Sequence, residues 1–319
     1  MNKKIIFKYL FSILTSLLIL YFLIKILGDI NIEQINYFLE IKIILISAVI
    51  YLMVKILNTF RYNLVFKTKD FFKTINILFY CNFILSLIPF RMGEISYITS
   101  FEKHYGISKI KSIANLMVVR LFDYLSICFL SFVTFLLSFK KIDLITENKS
   151  LTYPLYLAII ISVIFVLLIL FLRKGNVFLE KIKKYVDFSR INKREIFFIS
   201  LWSIFYWLLR FNLGIYLLNM TGINIGYFEI FFISTLMMII SLIPIQTFAG
   251  FGIFEGGWIA ALMLFGISKD GLLDKITAVH VLGLINVIIC GIISWVFLRI
   301  LIQNKVRHTY LKENISENS

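Results

Sequence analysis

A short stretch with the sequence SLIPFRMGE, residues 86–94, places an arginine and a glutamate inside a strongly apolar part of the chain. A proline and a glycine stand beside them, and both residue types interrupt regular helix. A helix that restarts near Gly93 would direct its free N–H groups and its positive dipole end toward the break, where Arg91 adds a full positive charge. Arg91, Gly93 and Glu94 are therefore predicted to belong to an anion site suited to a phosphate group.

Further charges lie near the middle of other apolar segments. The sequence RLFD separates Arg120 from Asp123 by three residues, which puts both side chains on one face of a helix. They form either part of a binding site or a structural pair that holds helices together. Arg210 has no charged neighbour in the sequence YWLLRFN, so we expect it to face the protein interior. Its candidate partners are Asp123, Glu94 and Glu255.

A second broken stretch, PIQTFAGFGIFE, carries Gly250, Gly252 and Glu255. Glu255 follows its glycines as Glu94 follows Gly93. Two interpretations of both glutamates stay open: each satisfies the N-terminus of a helix, or each is a proton carrier or counter-charge in a transport path. The candidate substrate-binding residues are Arg91, Gly93, Glu94, Arg120, Asp123, Arg210, Gly250, Gly252 and Glu255.

Catalytic, metal-binding and nucleic-acid functions have little support. His104, His280 and His308 lie in three different regions, the three cysteines occur singly in apolar segments, and no nucleophile motif or phosphate-binding loop is present. The net charge is +15, but the basic residues concentrate between apolar segments, as in the cytoplasmic loops of membrane proteins. We therefore expect no enzyme activity, no metal, no cofactor and no nucleic-acid partner.

The elements that position the charged residues are predicted to be membrane-spanning helices. Of the 319 residues, 60% are hydrophobic, compared with roughly 45–50% in an average soluble domain. No polar stretch is long enough to fold as a soluble domain. We predict an all-α polytopic membrane protein with a single membrane domain over residues 1–319. About six full spans are expected, at 9–27, 41–60, 112–138, 152–172, 196–219 and 276–302.

Two other apolar regions, 74–101 and 227–266, are interrupted by Pro and Gly. Their pieces are short for a hydrocarbon core of about 30 Å, so we expect two broken or re-entrant hairpins. The alternative is ordinary spans, eight or ten in total. Hairpins, or two crossings in each region, put the basic loops 61–73 and 173–195 and both termini on the cytoplasmic side of the cell membrane. Lys55 lies nearer a span end and is expected to reach the interface.

The two interrupted regions follow the same order of motifs. In each, SLIP is followed by a Gly-Glu or Gly-x-Gly-x-x-Glu element, then by GISK, then by a span. The two copies enter the membrane from opposite faces in the predicted topology, which is the arrangement of an inverted repeat in transporters. The two repeats would cover about 41–138 and about 196–302.

Residues 86–125, from SLIPFRMGE to RLFDYL, resemble the first signature of the flippase-like membrane family, Pro-x-Arg-x-Gly-Glu followed by an Arg-x-x-Asp span. That family includes the transmembrane part of lysylphosphatidylglycerol synthetase/flippase. Its second signature, a Pro, then Gly-x-Gly-x-x-Glu, then a Phe-Gly turn, is similar to IPIQTFAGFGIFEGGWIAALMLFGIS. The resemblance extends over most of the chain and implies movement of a lipid with a phosphate-bearing or charged head group.

Two departures from the family pattern leave the lipid open. Val119 stands where family members often carry an acid, and Gln246 and Thr247 stand where a small Gly-rich turn is common. The soluble aminoacyl-transfer domain of the large synthetases has no counterpart in these residues, so the resemblance does not imply that activity.

The leading hypothesis is a lipid flippase-like transporter whose partner is its membrane lipid. The alternative is a membrane transferase or an accessory protein in polyprenyl-linked glycan or lipid biosynthesis. Such a transferase would normally carry a metal-binding Asp motif, and none stands out in the sequence. Association with a second copy or with a biosynthetic enzyme is left open.

Overall fold

The computed structural model of the chain describes residues 40–88, 92–146, 192–223, 225–240 and 247–317, together with Tyr21 and Lys25. The following lie outside the described residues: the predicted span 9–27 apart from Tyr21 and Lys25, the predicted span 152–172, most of the loop 173–195, Arg91 and the second SLIP sequence.

The described residues form α-helices, two short 3₁₀ turns and no strand, which confirms the all-α prediction. The helices are α1 Ile41–Phe66, α2 Phe71–Leu87, α3 Ile95–Tyr105, α4 Lys109–Thr146, α5 Lys193–Met220, α6 Tyr227–Ile240, α7 Ile253–Leu264 and α8 Leu272–Glu317. The 3₁₀ turns, Met92–Glu94 and Phe248–Gly250, come before α3 and α7.

Four helices are long and apolar enough to cross a membrane, and they confirm four of the predicted spans. Each carries a run of Leu, Ile and Phe without proline, so backbone hydrogen bonds stay within the helix as a bilayer requires. The chain is therefore a polytopic helical membrane protein. The apolar parts of these helices are Ile41–Phe66, Lys109–Thr134, Arg194–Met220 and Leu272–Leu301.

The two interrupted regions each form a pair of shorter helices. The pairs are α2 with α3, of 17 and 11 residues, and α6 with α7, of 14 and 12 residues. At about 1.5 Å per residue, all four are shorter than a hydrocarbon core of about 30 Å. The predicted breaks are therefore present. Re-entry on the same side and an inverted repeat stay predictions.

Gly93 permits a close approach within the first pair of helices. A Cβ at this position would lie only 2.8 Å from the backbone nitrogen of Leu85 in α2. Backbone atoms cannot move aside as a flexible side chain can, so the short 3₁₀ turn before α3 requires a residue without a side chain. The glycine thus holds the start of α3 against the end of α2.

The helices pack around two apolar clusters. One is formed mainly by α5, α6, α7 and α8, with contributions from α1 and α4. The other is formed mainly by α1, α2, α3 and α4. Helix α2 packs most extensively on α8, and α1 on α5, so the two parts of the chain are interleaved rather than separate.

Helix α1 is longer than predicted, and two statements about its charges are wrong. The expected loop 61–73 includes Arg61, but α1 continues to Phe66, and Arg61 is only 1% exposed. Lys55, expected to reach the interface, is also 1% exposed and sits near the middle of the helix. Both errors arise because basic residues were taken to mark solvent-exposed or interfacial positions. A charged residue with interior partners can instead remain within a span.

Candidate functional site

Asp123 is the centre of a buried polar network between three helices. Its Oδ1 forms an ion pair with Arg61 of α1 and accepts a 2.9 Å hydrogen bond from the indole N–H of Trp207 in α5. Its Oδ2 lies 3.6 Å from Arg120, three residues away on α4, as the spacing of the two residues predicts. The carboxylate is 4% exposed, so its charge is satisfied by these partners rather than by bulk water.

Glu94 connects the first broken helix to this network. Its Oε1 accepts a 3.1 Å hydrogen bond from Arg120 Nη2. The Glu94 side chain makes no capping hydrogen bond to the helix that follows it. Both members of the pair are about one-third exposed, at 31% and 30%, so they lie at an open edge of the network. For Glu94 the observed role is that of a counter-charge.

Arg61 and Arg120 retain donors without acceptors in the described part of the chain. Nε and Nη1 of Arg61 and Nε of Arg120 are buried and have no hydrogen-bond partner there. The Arg61 guanidinium also lies over the ring of Tyr206, 4.6 Å from its centroid. Leaving a buried donor unsatisfied costs about 1–3 kcal/mol. Water or a ligand oxygen at these groups would offset that loss.

Lys55, which is buried, and Arg210, which is half-buried, complete the group of interior cations. Neither has a carboxylate within ion-pair distance among the described residues. The Lys55 ammonium lies 5.3 Å from the centroid of the Tyr51 ring. Arg210 lies 5.6 Å from the centroid of Trp207 and donates a 3.4 Å hydrogen bond to the Tyr206 hydroxyl. Aromatic rings stabilise these cations without neutralising them.

The six charged residues form one electrostatic unit, which we name the charge cluster. Tyr206 contacts both Arg61 and Arg210, and Trp207 contacts both Asp123 and Arg210. Lys55 lies on the same helix as Arg61. With four basic and two acidic side chains, the formal charge of the cluster is +2. The charge cluster consists of Lys55, Arg61, Glu94, Arg120, Asp123 and Arg210.

Glu255 lies in a separate arrangement on the second broken helix. Its Oε2 accepts a 2.6 Å hydrogen bond from the backbone N–H of Gly252, so it caps the N-terminus of α7. Its Oε1 is 2.6 Å from Nδ1 of His280 in α8. The His280 ring stacks on Phe254, with 4.3 Å between centroids. Glu255 is fully buried. One carboxylate oxygen caps the helix and the other contacts His280, so both oxygens have partners.

The glycines before Glu255 provide the backbone shape of this turn. Gly250 and Gly252 have φ values of 81° and 85°, in the left-handed region that favours glycine. Ala249, directly before them, also has a positive φ of 51°. Three left-handed residues within four positions allow the chain to reverse sharply between the 3₁₀ turn and α7. Gly250 and Gly252 therefore shape the backbone around Glu255.

The predicted convergence of charges is present only in part. Glu94 and Asp123 both contact Arg120. Glu255 instead belongs to the separate His280 site, and Arg91 lies outside the described residues. Arg210 joins the cluster through aromatic residues and not through an acid. The acids proposed as its partners are occupied, since each carboxylate already contacts other donors.

Sequence reasoning missed Arg61 and Lys55, although α1 contains a signal for them. Lys55, Asn58 and Thr59 are spaced as i, i+3 and i+4, which places polar side chains on one face of a helix that is otherwise apolar. Such a face must point into a bundle rather than into lipid. Ending the span at residue 60 left Arg61 in the predicted loop, although Lys55, Asn58 and Thr59 already lay within the predicted span.

Across the described parts of the chain, no three His, Cys, Asp or Glu side chains are grouped so that they could hold a metal ion. The arrangement instead combines guanidinium and ammonium groups with tyrosine and tryptophan rings near the middle of long apolar helices. These features define the class of the protein: a polytopic α-helical membrane protein with a cationic interior.

The comparison with protein families agrees with this class. Residues 6–291 match the family model described as the lysylphosphatidylglycerol synthase TM region. This chain belongs to that family, which confirms the resemblance inferred from the two signatures. It is therefore an integral membrane protein of the lipid-modification or flippase kind. No curated protein and no solved structure matches the chain.

Proposed function

We propose that this protein moves a lipid with a phosphate-bearing, anionic head group between the two leaflets of the cell membrane. Its termini lie on the cytoplasmic side, and no catalytic step is required. The observation that carries the proposal is the formal charge of +2 on the charge cluster, held within helices that span the membrane.

Energetics favour an anionic partner for this cluster. A cation at the bilayer centre is unfavourable by about 2.5–3.5 kcal/mol even on lenient scales, so unneutralised cations in spans usually have a functional role. Two of the four cations have carboxylate partners, and the other two are supported by aromatic rings. A phosphate head group would supply both the negative charge and the acceptors that Arg61 and Arg120 lack.

The placement of the open edge also supports a transport path. Glu94, Arg120 and Arg210 are the half-buried members of the cluster, whereas Lys55 and Arg61 are fully buried. A head group could therefore contact the half-buried arginines first, while the positive charges of the buried residues attract it electrostatically. The first helix break brings Glu94 into the cluster, and such breaks are typical of substrate sites in transporters.

Translocation of fluorescent lipids in proteoliposomes tests the proposal. Labelled phosphatidylglycerol and labelled phosphatidylcholine are compared, and dithionite quenching reports how much lipid reaches the inner leaflet. We expect Arg210→Gln to slow phosphatidylglycerol movement about tenfold, which corresponds to about 1.4 kcal/mol. Arg299→Gln is the matched control, because Arg299 lies 5.5 Å from the Trp295 ring in the same kind of contact but on an exposed surface.

Two results would contradict the proposal. If the wild-type protein moves neither lipid faster than protein-free vesicles, transport is not its activity, and a role in polyprenyl-linked glycan or lipid biosynthesis becomes the better hypothesis. If the Arg210 variant and the Arg299 variant slow transport equally, the effect does not arise in the charge cluster.

A further inference from the structure

We infer that the phosphate of the lipid head group binds one edge of the Arg120 guanidinium by displacing the Glu94 carboxylate. This inference rests on the proposed function and names the regulation of the same site, because Glu94 then competes with the head group and limits how tightly it binds. It is carried by the geometry of the Glu94–Arg120 pair, which uses only part of the hydrogen-bonding capacity of that edge.

The Arg120 guanidinium is only partly satisfied by the two acids beside it. Its Nη2 donates a 3.1 Å hydrogen bond to Glu94 Oε1, whereas its Nη1 lies 3.6 Å from Asp123 Oδ2, beyond hydrogen-bond distance. Nε, on the same edge as Nη2, is buried and has no hydrogen-bond partner in the described part of the chain. That edge can donate to two oxygens of one anion. Glu94 therefore satisfies one of its two donors.

A phosphate group suits both donors of this edge. Its oxygens are spaced so that an arginine can donate two parallel N–H···O bonds to them. A buried donor without an acceptor lowers the stability of a protein, so an oxygen at Nε of Arg120 would remove a loss that Glu94 leaves in place. A phosphodiester carries one negative charge, as Glu94 does. The exchange therefore keeps the charge balance at Arg120 and adds one hydrogen bond.

The Glu94 side chain can leave Arg120 by rotation alone. It is 31% exposed and makes no capping hydrogen bond to α3. The backbone directly before it is held in place, because Gly93 lies so close to the backbone of Leu85 that a Cβ would overlap it. The displaced carboxylate stays beside the N-terminus of α3, where a negative charge is favourable. Displacement therefore requires no rearrangement of the helices.

Asp123 cannot be exchanged in the same way. Its carboxylate is 4% exposed and is held by Arg61 and by the indole N–H of Trp207. Moving it away would leave a buried arginine without a counter-charge, which is strongly unfavourable. The charge cluster thus contains one fixed acid and one exchangeable acid, and the exchangeable acid lies at the open edge.

Binding of tritiated dioleoyl phosphatidylglycerol to the purified full-length protein in neutral detergent tests the inference. Displacement by unlabelled phosphatidylglycerol gives the apparent dissociation constant, and displacement by dioleoyl phosphatidylcholine gives the background. Glu94→Gln removes the competing charge and keeps the size of the side chain. We expect this variant to bind phosphatidylglycerol about fivefold more tightly than the wild type, which corresponds to about 1 kcal/mol, the upper end for an exposed ion pair.

Two further variants separate local competition from a general change in charge. Glu102→Gln removes the same charge from the same helix, but Glu102 pairs with Lys109 at 3.6 Å on an exposed surface, so the affinity should not change. Arg120→Gln leaves Asp123 with its two other partners and should fold. It should lose most of the preference for phosphatidylglycerol, and adding Glu94→Gln to it should not restore tighter binding.

Soluble glycerophosphoglycerol distinguishes a lipid from a free phosphate ester. It carries the head group of phosphatidylglycerol without the acyl chains, and we expect it not to compete at concentrations similar to those of the lipid. Competition as strong as that of the lipid would show that the site takes a soluble phosphate ester, against a lipid substrate.

The failures of the two proposals can be told apart. Unchanged or weaker binding by Glu94→Gln would overturn the inference, whereas specific binding by the wild type would leave the proposed function standing. Equal tightening by Glu102→Gln, or tightening that persists without Arg120, would also overturn the inference, since the effect would then arise from overall charge. No binding above the phosphatidylcholine background, by the wild type or by Glu94→Gln, would count against both proposals.

Discussion

Asp123→Asn should destabilise the protein strongly, because it removes the only negative charge that Arg61 contacts among the described residues. The amide is nearly the same size and can still accept the hydrogen bond from Trp207. Arg61 is 1% exposed and would stay in the interior without a counter-charge. Removing one partner of a buried ion pair costs about 3–5 kcal/mol. The expected loss in the free energy of unfolding is therefore about 3–5 kcal/mol.

Glu94→Gln is the matched control, since it removes the other carboxylate of the charge cluster. Its pair with Arg120 is about one-third exposed on both sides. Exposed pairs contribute about 0–1 kcal/mol, so this change should cost about 1 kcal/mol or less. The two variants carry the same chemical change at different depths, and their difference of at least about 2 kcal/mol measures the effect of burial.

Equilibrium unfolding in mixed micelles with increasing SDS, followed by helical circular dichroism, provides the measurement. Adding Arg61→Met to Asp123→Asn should recover most of the loss, because a buried pair replaced by neutral side chains is often close to neutral in stability. Equal stability of the Asp123→Asn and Glu94→Gln variants would refute the buried ion-pair explanation. A double variant no more stable than Asp123→Asn alone would also refute it.

Three further predictions concern the broken helices and the topology. Gly93→Ala should unfold well before Gly214→Ala, because a Cβ at 93 overlaps backbone whereas nothing lies within 4 Å of a Cβ at 214; equal stability would contradict the close approach. Glu255→Gln should cost about 1–2 kcal/mol if the residue is a cap with a histidine partner, whereas unchanged stability with lost transport would favour a proton carrier. In a background without native cysteines, a cysteine in place of Lys109 should be labelled only from the cytoplasm, and one in place of Lys269 from outside. Labelling of position 109 in intact cells would exclude the first hairpin.

Much of the helical architecture can be predicted from the sequence because the bilayer restricts the possibilities. Long apolar runs must be helices in lipid, and Pro and Gly must interrupt them. The spans at 112–138 and 196–219 were therefore predictable from composition alone. Helix ends were less so: α1 extends to Phe66 because Arg61 finds a carboxylate in the interior. That partner, Asp123, is 62 residues away in the sequence, so no local sequence pattern predicts the pair.

The site was predictable where the spacing was local and unpredictable where it was not. Arg120 and Asp123 share one helix face, so their proximity follows from helical geometry. The partners of Arg210 did not follow, because an aromatic residue can stabilise a cation as an acid does. Trp207 has two roles: its indole N–H donates a hydrogen bond to Asp123, and its ring lies against the Arg210 guanidinium. A tryptophan in an apolar helix gives no sign of this role in sequence.

The two motif glutamates make contacts that correspond in sequence spacing, while the inverted repeat stays a prediction. Each contacts a basic side chain on the long helix that follows its motif, at separations of 26 residues for Glu94 with Arg120 and 25 residues for Glu255 with His280. The two sites differ in depth and in charge, because Arg120 is half-buried and joins other cations, whereas His280 and Glu255 are enclosed beside Phe254. The Glu94 pair therefore lies at an open edge of the charge cluster, whereas Glu255 caps a helix and does not belong to the cluster.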